Sequence, residues 1–174
     1  MKVPQAPTEV KLAVAVDVTK MCHFSKILLL VFGIVSLPVS AQTKRAKFSV
    51  STTKKYPQKG EIIQLVLEAQ IFPQWKLYAS ERQVIPGPKS AYLSIQPQAG
   101  FRLVGGLVSV NPQKSWDSFW KGQVVYFEKK ARFTQAVQIL HSDTQLTGKI
   151  IYQMCNTNNS ACVQYQDSFL VRLH

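Results

Sequence analysis

Residues 63–71 alternate between apolar and polar side chains, and this period of two constrains the fold more than any other feature of the chain. A strand places successive side chains on opposite faces, so one face of this segment would be buried and the other mostly polar. The apolar face would carry Ile63, Leu65, Leu67, Ala69 and Ile71. No window of a dozen residues shows a convincing 3.6-residue period, so the pattern predicts an all-β protein.

Short runs of the same kind recur along the chain between turn signals, at intervals of about 8 to 12 residues. We expect strands at 48–52, 63–71, 75–78, 92–96, 101–110, 123–128, 133–140, 146–154 and, for the last, 167–173. The runs 123–128 and 133–140 are expected to pair as a hairpin, and 116–120 is expected to be an aromatic loop. This pattern predicts an antiparallel β-sandwich of immunoglobulin type.

The N-terminal segment has the layout of a secretory signal peptide. Residues 27–35 are almost pure hydrocarbon, but the run is shorter than the roughly 20 residues that span a bilayer. Lys26 precedes the run, and the small residues of 39–41 follow it. We therefore expect cleavage between Ala41 and Gln42 and export to the periplasm; the alternative is an uncleaved N-terminal anchor.

Residues 1–20 fit this layout poorly, because they contain acidic residues and prolines where a short basic segment is expected. Met21 is the better start. The predicted organisation is a signal peptide at 1–41, with 1–20 as an upstream extension that is not translated, and one domain at 42–174. Cleavage would leave 17 basic and seven acidic residues, scattered in small groups. Export argues against nucleic acid as a partner, and a solvated basic surface is the simpler interpretation.

Cleavage would also remove Cys22 and leave Cys155 and Cys162 as the only cysteines. An alternating apolar run ends at Cys155, six mostly small polar residues follow, and Cys162 opens the last apolar run. That order predicts a strand, a loop and a returning strand, so the two thiols would face each other at the end of a hairpin. An even pair of cysteines in an exported chain suggests a disulfide.

Other chemistry is poorly represented in the predicted domain. Only His141 and His174 remain after cleavage, and the ligand spacings of a metal site are missing. There is no glycine-rich phosphate loop and no nucleophile elbow, so no metal or cofactor is predicted. A metal chaperone that uses two thiolates is a third, weaker hypothesis.

Two interpretations of the cysteine pair remain open at this point. A disulfide that closes so short a loop removes little entropy from the unfolded chain. It stabilises the fold by only on the order of 2–3 kcal/mol, which weakens the case for a purely structural role. A bridge at an exposed loop is also open to attack by a thiolate. Trp116, Phe119 and Trp120 are either hydrophobic plugs at one end of the sandwich or a lid over the disulfide.

Three segments, taken in their order along the chain, resemble a known family. Trp75-Lys76-Leu77-Tyr78 comes first, then the aromatic segment 117–120 leads into Val124-Val125-Tyr126-Phe127-Glu128, and finally Gly148-Lys149-Ile150-Ile151-Tyr152-Gln153-Met154-Cys155. In order and spacing they are similar to the N-terminal periplasmic domain of DsbD, the bacterial thiol:disulfide interchange protein, also grouped with disulfide bond corrector domains. The resemblance covers roughly residues 56–173.

The resemblance implies an immunoglobulin-like domain that acts as a protein thiol–disulfide oxidoreductase module. Cys155 and Cys162 would be the active pair, and Phe119 would be the cap residue that shields their disulfide. Asp117 and Trp120 would belong to the cap loop, and Tyr78 would line the site. Reducing equivalents would come from a membrane electron transporter or a thioredoxin-like protein and would pass to periplasmic clients, including cytochrome c maturation factors.

The chain departs from the family in two ways. The loop between the cysteines is longer than usual, and Val163-Gln164 stands where two prolines commonly follow the second cysteine. No transmembrane helices or thioredoxin domain follow in this sequence, so the electron donor is expected on a separate chain. The alternative function is an exported immunoglobulin-like binding or assembly domain with a structural hairpin disulfide.

Overall fold

The computed structural model describes residues 43–174, which contain ten strands and no helix. The predicted signal peptide, the proposed start at Met21 and Cys22 lie outside the described residues. The strands are β1 (Ala46–Thr52), β2 (Ile62–Ile71), β3 (Trp75–Tyr78), β4 (Tyr92–Ile95), β5 (Phe101–Ser109), β6 (Gln113–Asp117), β7 (Gly122–Phe127), β8 (Lys130–Ile139), β9 (Gln145–Asn156) and β10 (Cys162–Arg172).

The strands form two antiparallel sheets that pack as a sandwich. One sheet has the order β1-β2-β8-β5, and the other has the order β10-β9-β3-β7-β6 with β4 paired to β9 beside β3. The alternating face predicted for 63–71 is buried, as are the inward positions of β8. The prediction of an all-β, immunoglobulin-like antiparallel sandwich is therefore confirmed.

The predicted hairpin between 123–128 and 133–140 is wrong. Strand β7 pairs with β3 and β6 in one sheet, whereas β8 pairs with β2 and β5 in the other. Between them the chain crosses from sheet to sheet at Lys129, whose φ of 64° turns it sharply. A hairpin and a sheet-to-sheet corner both appear in sequence as two apolar runs around a short charged turn, so local pattern alone does not separate them.

Two boundaries also differ from the prediction. Trp116 and Asp117 end strand β6 instead of lying in a loop, and β10 begins at Cys162 instead of near residue 167. Strand β6 pairs only with β7 and has no fully buried residue, so it shows no apolar alternation in sequence. Strand β10 is likewise an edge strand, with an exposed face along its first half.

The hairpin of β9 and β10 is held by contacts other than its disulfide. The two strands pair continuously from Cys155 and Cys162 down to Gln145 and Arg172. The buried ring of Tyr152 stacks on Tyr165 with ring centroids 5.8 Å apart. The Tyr152 hydroxyl donates to Asp167 Oδ2 at 2.7 Å. Register is thus held by pairing and by a core contact that do not involve the disulfide.

We therefore predict that reducing the Cys155–Cys162 disulfide leaves the fold intact. The free energy of unfolding should fall by only about 2–3 kcal/mol, because the bridge closes a short loop and the rest of the hairpin stays paired. Denaturant titration of the oxidised and reduced protein, followed by circular dichroism, measures the difference. Loss of the cooperative transition on reduction would contradict the prediction.

Candidate redox site

The end of the β9–β10 hairpin brings the two cysteines together. Cys155 and Cys162 are register partners, joined by a disulfide, and their Cα atoms are 4.1 Å apart. The next pair outward is hydrogen-bonded, with Asn156 N donating to Ala161 O at 2.9 Å. Cys155 and Cys162 therefore occupy a non-hydrogen-bonded position, where cross-strand side chains are closest. The predicted meeting of the two thiols is confirmed.

The loop of six residues between the cysteines is ordered by its own polar groups. Asn156 Oδ1 accepts from the backbone N–H of Asn158 at 2.8 Å, and Asn159 Oδ1 accepts from Ala161 N at 3.1 Å. Thr157 N donates to Gln74 O at 2.8 Å, which ties the loop to the turn before β3. The longer loop is thus a defined turn built from asparagine side chains, a common use of Asn.

The two sulfurs have different surroundings. Cys155 is only 6% exposed and belongs to a small apolar cluster with Tyr78, Val124 and Tyr126, whereas Cys162 is half-buried at the edge of that cluster. A cavity of about 250 Å³ opens over the pair. It is lined by both cysteines, Lys76, Tyr78, the loop residues Asn156, Thr157 and Ser160, and the segment 116–120. Cys162 is thus the more exposed of the two cysteines that line the cavity.

Asp117 organises the aromatic segment over the cavity. Its Oδ1 accepts from the backbone N–H of Phe119 at 3.0 Å and of Trp120 at 3.1 Å, so the carboxylate holds the turn that follows β6. The rings of Phe119 and Trp120 meet edge to face, with centroids 4.8 Å apart. Phe119 is 62% exposed, while Trp120 is partly buried against the cysteine cluster. Segment 117–120 is called the cap below.

Tyr78 forms the floor of the site from strand β3. Its hydroxyl accepts a hydrogen bond from Trp120 Nε1 at 3.3 Å, which links the floor to the cap. Burial is the main cause that raises the pKa of Tyr78, so the phenol stays neutral at any physiological pH. The structure thus brings every predicted site residue, Asp117, Phe119, Trp120, Tyr78 and the two cysteines, to one cavity.

Sequence reasoning missed the loop that supports the site from below. Gln83 makes two hydrogen bonds with the backbone of Val125, its Nε2 donating to the carbonyl at 3.0 Å and its Oε1 accepting from the N–H at 2.9 Å. This pins the loop so that Val84 packs on the cysteine cluster and on Gly122. A Cβ at Gly122 would lie 2.4 Å from Val84 Cγ2, so only glycine fits there. No local sequence pattern predicts contacts between residues that lie 42 positions apart, as Gln83 and Val125 do.

Lys76 and Gln153 were also missed as neighbours of the disulfide. Lys76 pairs with Cys155 across strands β3 and β9, and it lines the cavity. Gln153 Nε2 lies 4.0 Å from Cys155 Sγ. Both residues are within the segments that carry the family resemblance, but no pattern in the sequence singles them out from the other polar residues of those strands.

The family of the chain follows from a comparison of its sequence with models of known protein families. The family model described as "Thiol:disulfide interchange protein DsbD, N-terminal" matches residues 39–172, well over half of the chain. The chain belongs to the DsbD N-terminal family. The match includes both cysteines and the whole cap, so the resemblance noted in the sequence is confirmed. No curated protein sequence matches the chain significantly.

One solved structure supports this assignment at the level of the fold, and a second shows a weaker match. The N-terminal periplasmic domain of ScsB from Proteus mirabilis matches with a TM-score of 0.55 and 16% sequence identity, over 75% of this chain and 47% of that one. The reduced DsbD N-terminal domain of Neisseria meningitidis matches with a TM-score of 0.45 and 13% identity, over 62% of this chain and 75% of that one. The chain thus spans about half the length of the ScsB domain.

Within residues 43–174, no three side chains of the metal-ligating types His, Cys, Asp and Glu come together. Over the same residues, no helix is long and apolar enough to cross a membrane.

We predict that Phe119→Ala preserves the fold and makes the disulfide react faster with small thiols. Removing the ring opens the cavity without emptying a core position, because Phe119 is largely exposed. The measurement is the rate of reduction by dithiothreitol under pseudo-first-order conditions, with Phe72→Ala as the control for loss of another exposed phenylalanine. A rate equal to that of the control would show that Phe119 does not cover the disulfide.

A second pair of variants tests how the cap is held. Asp117→Ala loses both backbone hydrogen bonds, worth about 1–2 kcal/mol together, so reduction by dithiothreitol should become roughly tenfold faster. Asp117→Asn keeps an oxygen that can accept both bonds, and its rate should stay near that of the unmodified protein. Equal acceleration in the two variants would mean that the carboxylate acts through its charge instead.

Proposed function

We propose that this protein exchanges thiols and disulfides with other proteins through Cys155 and Cys162. The observation that carries the proposal is the position of the disulfide at the loop end of a hairpin, in a cavity that is lined by aromatic residues of one short cap. A staple would gain most by joining distant segments, whereas this bridge joins residues that the strand pairing already holds together. Membership of the family supports the same role.

Cys162 is the sulfur at which partners enter. Of the two cysteines that line the cavity it is the more exposed, whereas Cys155 is buried in the cluster with Tyr78, Val124 and Tyr126. A dithiol donor reduces the pair in two exchange steps and is itself oxidised to a disulfide. The reduced pair then passes the same two electrons to the disulfide of a client. The donor is a thioredoxin-like protein or a membrane electron transporter on a separate chain, and the clients are periplasmic redox proteins, including cytochrome c maturation factors.

The cap controls which thiols reach the pair. Phe119 and Trp120 cover the cavity, and Asp117 sets their turn. Tyr78 couples the cap to the floor of the site through its bond with Trp120. A partner whose surface displaces the exposed Phe119 ring gains access to Cys162. Small thiols, which have no such surface, react more slowly.

This role requires an oxidising compartment with a dedicated supply of electrons. Export through the segment 1–41, with cleavage near Ala41, would deliver the domain to the periplasm. The ScsB domain that shares its fold is described as periplasmic. An N-terminal sequence of the exported protein that begins at Gln42 would establish this step.

The second candidate function is an immunoglobulin-like binding domain with a structural disulfide. The burial of Cys155 is the observation in its favour, because structural disulfides are shielded. The two candidates differ in the stability of the disulfide toward reduction, which a single measurement determines.

We predict a reduction potential in the range of catalytic pairs, roughly −180 to −270 mV. The measurement equilibrates the purified protein with thiol buffers of defined potential across this range and determines the fraction of reduced protein. A potential below about −300 mV, with unfolding as the bridge opens, would identify a structural staple and refute the proposal.

Single-cysteine variants then test the entry point. Cys155→Ser leaves Cys162 free and should trap mixed disulfides with thioredoxin-like proteins, while Cys162→Ser should trap few. Non-reducing electrophoresis of both variants with one purified thioredoxin-like protein compares the yields. Equal trapping would contradict the assignment of Cys162 as the entry sulfur.

A further inference from the structure

The two sulfurs of the disulfide face polar groups of opposite kind. Gln153 lies two residues before Cys155 on β9, so both side chains are on the same face, and its Nε2 is 4.0 Å from Cys155 Sγ. On the other side, the carbonyl oxygen of Ser160 is 3.5 Å from Cys162 Sγ. An N–H donor is thus directed at one sulfur, and a lone-pair acceptor at the other.

The orientation of the Gln153 amide is determined by a separate contact. Its Oε1 lies 2.6 Å from the backbone nitrogen of Lys89. A backbone N–H can only donate, so the atom facing it must be the carbonyl oxygen of the amide, and the NH₂ group must be the one directed at Cys155. The donor at Cys155 therefore follows from the hydrogen-bond pattern.

Charged groups also lie on the strands around the pair. From β3, Lys76 pairs with Cys155, and its ammonium lies 4.3 Å from the ring centroid of Tyr126 and 4.0 Å from Glu128 Oε1. Tyr78 is a neutral phenol, and Asp117 already accepts two backbone N–H groups within the cap. From the loop before β4, the Lys89 ammonium donates to Gln164 Oε1 at 3.2 Å.

We propose that Cys155 is the sulfur that carries the negative charge when a donor opens the disulfide, and that Gln153 is the positioning residue that stabilises it there. The inference rests on the proposed function, which it deepens. A donor thiolate attacks Cys162 Sγ, a new S–S bond forms between them, and the Cys155–Cys162 bond breaks. Its electron pair leaves on Cys155 as a thiolate, beside the Gln153 N–H. The second thiol of the donor, as its thiolate, then attacks the donor's own sulfur and releases Cys162.

The physical reason for this polarity is the leaving group. A thiolate leaves faster when it is better stabilised, and a hydrogen bond to the charged form stabilises it. The N–H···S contact is long in the disulfide, where the sulfur is neutral, and it should shorten once Cys155 becomes an anion. At Cys162 the Ser160 carbonyl disfavours an anion. Attack at Cys155, which would leave the charge on Cys162, is therefore slower.

Gln153→Glu tests the role of the amide directly. A glutamate keeps an oxygen for the Lys89 N–H but replaces the donor beside Cys155 with a negative charge. The matched control is Gln164→Glu, because Gln164 is the register partner of Gln153 and the substitution adds the same charge on the neighbouring strand. Both are made in the full chain with Cys22→Ser and Cys162→Ser, so that Cys155 is the only thiol.

The first measurement is the pH titration of thiolate absorbance near 240 nm. We expect Gln153→Glu to raise the midpoint of the titration by about one pH unit. At pH values below the midpoint, the fraction of Cys155 present as thiolate is then about tenfold smaller. Gln164→Glu should raise it by less than half as much. Equal shifts in the two variants would show a general charge effect and would overturn the assignment of Gln153. Circular dichroism of both variants checks that the fold is kept.

The second measurement compares the two cysteines. The thiol of Cys155, alone in the Cys162→Ser protein, should ionise at a lower pH than the thiol of Cys162, alone in the Cys155→Ser protein. The opposite order would overturn the proposed polarity. Neither titration needs a partner protein, so a failure here is separate from a failure of the proposed function, which the reduction potential and trapping experiments decide.

Discussion

The close cross-strand pairing of Cys155 and Cys162 is the constraint on which the rest of the site depends. The pair occupies a non-hydrogen-bonded position, and a slip of one residue would place the two side chains on opposite faces of the sheet. Register must therefore be held by other interactions whenever the disulfide is open. Continuous pairing down the hairpin to Gln145 and Arg172, and the buried Tyr152 bonded to Asp167, do this without the disulfide.

The period-two alternation of 63–71 correctly predicted a buried strand face, and the cysteine spacing correctly predicted a hairpin that joins two thiols. Both are local properties, since they depend on residues close in sequence. The path of β7 and β8 is not local. Lys129 carries the chain between sheets, and nothing in the flanking residues distinguishes that corner from a hairpin turn. Edge strand β6 was missed because it buries too little to alternate.

The same distinction applies to the site. Asp117, Phe119 and Trp120 are adjacent in sequence, so a family resemblance was enough to group them with the cysteines. Gln153 became visible only in three dimensions, because the group that orients it, the backbone N–H of Lys89, is 64 residues away. Its importance comes from the direction of one amide group. No composition or spacing encodes that direction.

Access and charge are divided between the two sulfurs in a way that suits directional exchange. Cys162 is the more exposed sulfur, and it faces a carbonyl oxygen. Cys155 is only 6% exposed, and it faces an amide donor. In the exchange that we propose, attack and charge development therefore fall on different atoms of one bond. A symmetric disulfide would offer two equivalent outcomes to an incoming thiolate, whereas this arrangement favours one, with the charge left on the side that the protein keeps covered.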